Sequence, residues 1–215
     1  VTTRRRLDPA ERRDQLLDVG ARLFAAKPYD EVLMEDIAER AGISRALLYR
    51  YFPNKRDLFA AVYRQAADRL LAATQLDPAV PVAEQLTAGL DAHIDYFVAH
   101  RNTVLAANRV LAGDPVIQAV ITDELAVLRQ RLLDTTALKD GPGDLVSAAL
   151  LSWLVFVRAL CVDWLTHQKF SRTELREMCV GALLGALEPV MDLGPLLADH
   201  PGADTGAGTP TGTGG

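Results

Sequence analysis

Apolar residues recur at intervals of three and four along almost the whole chain, and no segment alternates with the two-residue period of a half-buried strand. The pattern predicts an all-α protein. Leu16, Val19 and Leu23, with Leu17 and Phe24 alongside, make the stripe of a first helix. Asp8 stands at its N-cap, Pro9 at its first helical position and Glu11 three residues after the cap. Lys27-Pro28 ends it. A short second helix fits residues 35–41, with Ile37, Ala38 and Ala41 on one side, and Gly42 follows, where a left-handed residue closes a helix. Ser44 can cap a third helix over residues 45–51, which Pro53 stops. Asn54-Lys55-Arg56-Asp57 is a fresh N-cap followed by an early acid, opening a long fourth helix to about Gln75. Its stripe of Leu58, Phe59, Val62, Ala66 and Leu70 faces the first three helices before running on past them.

Beyond Asp77-Pro78 and Pro81, helical patterns cover residues 82–100, 103–112, 115–136, 144–168 and 173–192, enough for a bundle. The stretch 199–215 is Gly, Thr, Pro and Ala with nothing bulky to bury, and reads as a flexible tail. The expected organisation is an N-terminal arm and helix-turn-helix domain at 1–56, a helical domain at 57–198, and the tail. The greasiest run, 145–157, meets Arg158 and then Asp163 before it reaches the roughly 20 residues of a bilayer span, so a buried helix and no membrane partner are expected.

Charge changes the picture only when it is located. The chain is acidic overall, at −5, yet residues 1–60 carry 12 Lys and Arg against 10 Asp and Glu, whereas residues 61–215 carry 11 against 18. Arg40, Arg45, Arg50, Lys55 and Arg56 follow one another with no acid between them, a positive surface of the kind phosphates attract. The two cysteines, Cys161 and Cys179, lie in apolar sequence and nothing resembles a secretory signal, so a reducing cytoplasm is expected.

The informative stretch is 37–52. Ala38 is small enough for two helices to cross closely, Gly42 makes the turn, and Ile37, Ile43, Leu48 and Phe52 form the core of a helix-turn-helix. The third helix would then enter the major groove. Its start offers Ser44 and Arg45 to base edges, while Tyr49, Tyr51 and Lys55 can bond phosphate oxygens. The run Arg4-Arg5-Arg6 could add a basic arm along the duplex.

Phe24, Asp36-Ile37-Ala38, Ala41-Gly42-Ile43-Ser44, Leu48-Tyr49-Arg50-Tyr51-Phe52 and Asn54-Lys55-Arg56-Asp57-Leu58 together resemble the N-terminal signature of TetR-family repressors, over about residues 10–63. The resemblance implies that Arg45, Ala46 and Leu47 face base edges, that Tyr49 and Tyr51 touch the backbone, and that Lys55 contacts phosphate. Two positions depart from it. Leu33-Met34 stands where the family usually has a Thr or Ser that caps the second helix, and Tyr51 stands where His is frequent.

One seven-residue helix reads too few base pairs for selectivity, so a two-fold partner presenting a second copy about 34–36 Å away is required. The last two helices are the expected homodimer interface, through Trp153, Leu160, Trp164, Leu175, Met178, Ala182, Leu183 and Ala186, with Gly181 and Gly185 permitting close approach. The resemblance implies the same four-helix arrangement. The remaining helices would enclose a small hydrophobic or amphipathic effector, with His93, Tyr96, Phe97, Asn108, Arg109, Trp153 and Phe156 as candidate contacts and His100 and Arg158 nearby.

An enzyme is not expected. His93 and His100 share a helical face, but no Glu-x-x-His pair or Cys-His cluster completes a metal site, and there is neither a nucleophile elbow nor a phosphate-binding glycine loop. No cofactor is implied. The sequence-level expectation is a regulator released from a palindromic double-stranded DNA operator by its effector, with a non-sensing architectural DNA binder as the alternative.

Overall fold

A computed structural model describes residues 8–73, 80, 82–134 and 143–194. The Arg4-Arg6 arm and the tail at 199–215 lie outside the described residues. Within them the architecture is all-α, in the order α1 (Pro9–Ala26), α2 (Met34–Ala41), α3 (Arg45–Tyr51), α4 (Lys55–Ala73), α5 (Val82–Ala99), α6 (Arg101–Leu105), α7 (Pro115–Leu133), α8 (Gly143–His167) and α9 (Arg172–Leu187).

The start of α1 is the double cap that its sequence spells. The Asp8 carboxylate accepts from the Glu11 N–H at 2.8 Å, and the Glu11 carboxylate accepts from the Asp8 N–H at 2.9 Å. Its buried face, Leu16 to Phe24, packs on Leu58, Phe59 and Val62 of α4. Gly20 lets the two helices close: a Cβ there would meet a Val62 methyl at 3.3 Å. An aromatic group fixes the junction, with Phe24 and Tyr29 both edge-on to Phe59 at 5.0 and 5.2 Å, and Phe59 stacked on Tyr63 at 6.0 Å.

Two helical segments depart most from the sequence pattern. The segment expected as one helix over 103–112 begins at Arg101, and from Ala106 to Val110 it widens into a π turn in which the Leu111 N–H reaches the Ala106 carbonyl. The helix expected over 173–192 stops at Leu187, where Val190 and Met191 turn back onto the Leu187 carbonyl ahead of Asp192-Leu193-Gly194. Apolar spacing continued through both places because the side chains still pack; the backbone ladder does not.

α8 is long and apolar enough, at a mean hydropathy of 2.2, to pass for a membrane span. Its environment is that of a core helix. Val146, Leu150, Trp153, Leu154, Val157 and Cys161 are buried against α7 and α9, and the Trp153 indole N–H donates to the Cys179 carbonyl at 2.7 Å. Burial pushes the Cys161 and Cys179 thiols up to about 12 and 11, which leaves them protonated and inert. The N-terminus of α9 is tied to α5 by Arg172 and Arg176, both paired with Asp91, and by Arg172 with Asp95.

The N-terminal part of the chain docks on the later helices at separate points. Arg56 at the start of α4 grips Asp114 with two parallel hydrogen bonds of 2.6 and 3.0 Å, while Asp114 caps α7 by accepting from the Val116 and Ile117 N–H groups. The Asn102 amide donates to the Ala25 carbonyl at 2.9 Å, clipping α6 to the end of α1.

Candidate functional site

Gly42, at φ 64° and ψ 40°, takes the left-handed conformation that only glycine adopts without cost, and the Ile43 N–H reaches back to the Ala38 carbonyl at 3.0 Å. This turn sets α3 across α2. The Ser44 hydroxyl then accepts from the Leu47 N–H at 3.2 Å and caps α3. Only Leu48 of α3 is fully buried. Leu47 and Tyr51 are half-buried, and Ser44, Arg45, Ala46, Tyr49 and Arg50 are exposed, so α3 is held along one edge and presents the other to solvent.

Three basic residues of this stretch already have partners. The Arg45 guanidinium sits 3.2 Å from Glu35 on α2, an exposed pair worth at most about 1 kcal/mol and therefore easily exchanged for a base edge. Lys55 is more committed. Its ammonium donates to the Tyr29 carbonyl at 2.9 Å and the Asp30 carbonyl at 3.4 Å, over the Tyr29 ring, which leaves one of three N–H donors for a phosphate. Arg56 is spent on Asp114 and Asp57. The positive surface is thus narrower than the run of five basic residues suggests, with Arg40 and Arg50 exposed beside Arg45. Leu33 precedes α2 without any side-chain cap.

A second constellation lies inside the bundle. Arg158 of α8, 7% exposed, bonds the Glu124 carboxylate of α7 at 2.6 Å and the Tyr63 hydroxyl of α4 at 3.1 Å, and its guanidinium lies 5.6 Å from the centre of the Phe97 ring. His93 stacks on the same Phe97 at 4.1 Å, and Tyr96 lies against both Phe97 and His100. Asn108, in the π turn, bonds the Val104 carbonyl and also supports the Tyr63 oxygen. Burial raises Glu124 above the usual carboxylate range, opposed by Arg158, and lowers His93 to about 3, so the imidazole is neutral. Two polar atoms here, Arg158 Nε and His93 Nε2, are buried with no hydrogen-bond partner among the described residues. Each such atom costs roughly 1–3 kcal/mol, and more when charged.

The segment 16–62 matches the family model for bacterial regulatory proteins of the tetR family. The chain carries the TetR-family helix-turn-helix. It is 29% identical over 144 residues to the transcriptional activator FasR of Mycolicibacterium smegmatis, covering 66% of this chain and 62% of that protein. It is 38% identical over 81 residues to the repressor KstR2 of the same organism, covering 37% and 40%. The chain therefore spans less than two thirds of the length of either relative. A solved TetR-family regulator from Streptomyces coelicolor superposes with a TM-score of 0.74 at 26% identity, over 85% of this chain and 83% of that one.

Against this TetR-family frame the sequence-derived site residues divide. His93, Tyr96, Phe97 and Asn108 are gathered around Arg158, whereas Arg109 and Phe156 are exposed and Trp153 is committed to Cys179. Of the expected interface, Leu175, Leu183 and Trp153 are turned into the protomer's own core, with Leu160, Trp164 and Ala182 half-buried. Met178 and Ala186 face out. The outward stripe of α8 runs instead through Leu145, Ala148, Ser152, Val155 and Ala159, and a Cβ added at Gly181 or Gly185 of α9 would meet nothing within 4 Å.

Tyr63 and Glu124 were not singled out from sequence. A signal existed: Glu124 is an acid within the apolar stripe Ile117, Val120, Ile121 and Leu125, and Arg158 is a base within the stripe Leu150, Leu154, Val157 and Cys161. Opposite charges embedded in two buried stripes must find each other or unfold the protein.

Proposed function

We propose that the chain is a dimeric DNA-binding transcriptional regulator, a repressor released from a palindromic operator by a small apolar effector. The observation that carries this reading is α3 itself: capped by Ser44, crossed over α2 at a left-handed Gly42, and solvent-facing at Ser44, Arg45, Ala46, Tyr49 and Arg50. Arg45 and Ser44, with Ala46 and Leu47, read base edges; Tyr49, Tyr51 and the remaining Lys55 donor position the helix on phosphates. FasR is named an activator and KstR2 a repressor, so relatives act in both senses; repression needs no surface beyond the one that covers the promoter.

Residues 1–56 form the reading unit and 57–198 the sensing and dimerising unit. The outward stripes of α8 and α9, including Met178, Gly181, Gly185 and Ala186, pair with their copies in a four-helix bundle. Sensing is a population shift. α4 belongs to both units, because Phe59 packs on Phe24 and Tyr29 of the reading unit while Arg56 grips Asp114 at the start of α7 and Tyr63 enters the interior cluster. An effector that favours one placement of Tyr63 and α4 changes the separation of the two recognition helices, and operator fit is lost.

Selection of duplexes from a random pool by the purified protein tests the reading. It expects a palindromic consensus whose half-sites lie about one helical turn, 34–36 Å, or a multiple of it apart. Recovery of sequences without symmetry, or of no enriched sequence at physiological salt, contradicts it.

A further inference from the structure

We infer that the cluster around Arg158 is a receptor for the head of an uncharged ligand, an apolar molecule carrying a hydrogen-bond-accepting oxygen such as an ester, ketone or lactone. The inference rests on the sensing role proposed above and specifies what is sensed. His93 stands at the edge of this cluster, half-buried and stacked on Phe97. Beside it the walls are apolar, with Phe97 between the imidazole and the guanidinium. Arg158 has placed one arm on Glu124 and one on Tyr63, and its Nε–H is left as a strong, buried, unpartnered donor. His93 Nε2 is a second unpartnered group on the same aromatic ring. An accepting oxygen satisfies the guanidinium; a purely apolar ligand does not.

Charge selects further. Arg158 is already balanced by Glu124, and His93, Tyr63 and Tyr96 are neutral, so a carboxylate would enter as an uncompensated buried anion and an ammonium as an uncompensated cation. The ligand that costs least is neutral. Tyr63 places this contact one bond from α4.

The test uses the full chain and four probes of matched length, methyl decanoate, decanoate, decylamine and decane, titrated at neutral pH with intrinsic tryptophan fluorescence and calorimetry. Methyl decanoate is expected to bind about 10- to 100-fold tighter than decane, the worth of one hydrogen bond to a charged donor, and tighter than either charged probe. In the double variant Arg158→Met with Glu124→Leu, which replaces the ion pair by apolar groups, the preference for ester over alkane disappears. Arg158→Gln with Glu124→Gln removes both charges while keeping most of the volume and polarity of the pair, is expected to lose most of the same preference, and serves if the apolar double variant does not fold. Decanoate binding as tightly as its ester, a preference that survives in the double variant, or no probe binding at all overturns the inference. Operator binding is measured in parallel: ester binding that leaves operator affinity unchanged supports the receptor and removes the sensing role, while unbound probes with intact operator binding remove the receptor alone.

Discussion

The reading face and the interior cluster are built in opposite ways. Ser44, Arg45, Tyr49 and Arg50 lie within seven residues, are exposed, and owe their positions to a cap and a turn encoded in the same stretch. Tyr63, His93, Asn108, Glu124 and Arg158 come from five separate elements, are buried or half-buried, and owe their positions to the whole bundle. A DNA reader must meet its ligand at the surface, so its polar groups are solvated beforehand and change little in stability when replaced. A sensor that encloses its ligand holds polar groups in a low-dielectric interior, where each unmatched atom matters to the fold.

The contrast is broken most severely by Glu124→Ala. Removing one partner of the buried pair leaves Arg158 uncompensated, and chemical denaturation should show a loss of about 3–5 kcal/mol. A loss below about 1 kcal/mol would mean that the Arg158 charge is solvated after all.

The surface proposed to meet a second copy has its own sensitive region. A Cβ at Gly185 would meet nothing within 4 Å, so Gly185→Arg should not lower the stability of the single chain, while the dimer weakens by roughly 1–3 kcal/mol in sedimentation equilibrium. An unchanged dimer places the interface elsewhere.

pH separates the two regions next. His93 is lowered from 6.5 to about 3 chiefly by burial, so the unfolded chain takes up a proton that the folded one refuses. Stability is therefore full above pH 6.5 and is lost as pH falls through that window, with this residue contributing a slope approaching 1.4 kcal/mol per pH unit. His93→Phe should flatten the slope in urea denaturation between pH 4.5 and 6.5, a window lying inside those two values. An unaltered slope would show that the imidazole is solvated. The smallest effect belongs to the reading face: Ser44→Ala removes only the cap of α3 and should cost about 1 kcal/mol in thermal stability. A substantially larger loss would mean that this helix is held by more than its local signals.

How much of this could be read in advance follows from the same difference. The caps at Asp8 and Ser44, the turn at Gly42 and the start of α4 at Asn54 are each decided by a few neighbouring residues, and the sequence pattern predicts them correctly. The π turn at 106–110 and the early end of α9 were hidden because apolar spacing persists through both. Direction was harder still. Leu175 and Leu183 share an apolar helix with Met178 and Ala186, and composition does not say which side meets α8 and which is left outward. The partnership of Arg56 with Asp114, 58 positions apart, and of Arg158 with Tyr63, 95 apart, depends on tertiary packing that no local pattern encodes.

The central claim is that α3 reads sequence through the residue at its exposed start. Wild-type protein and Arg45→Ala, each titrated against the selected duplex and a scrambled one at a single physiological salt concentration, test it most directly. A loss of about 1–3 kcal/mol on the selected duplex, with little change on the scrambled one, is expected. Equal losses on both would reduce Arg45 to a phosphate contact and contradict the claim.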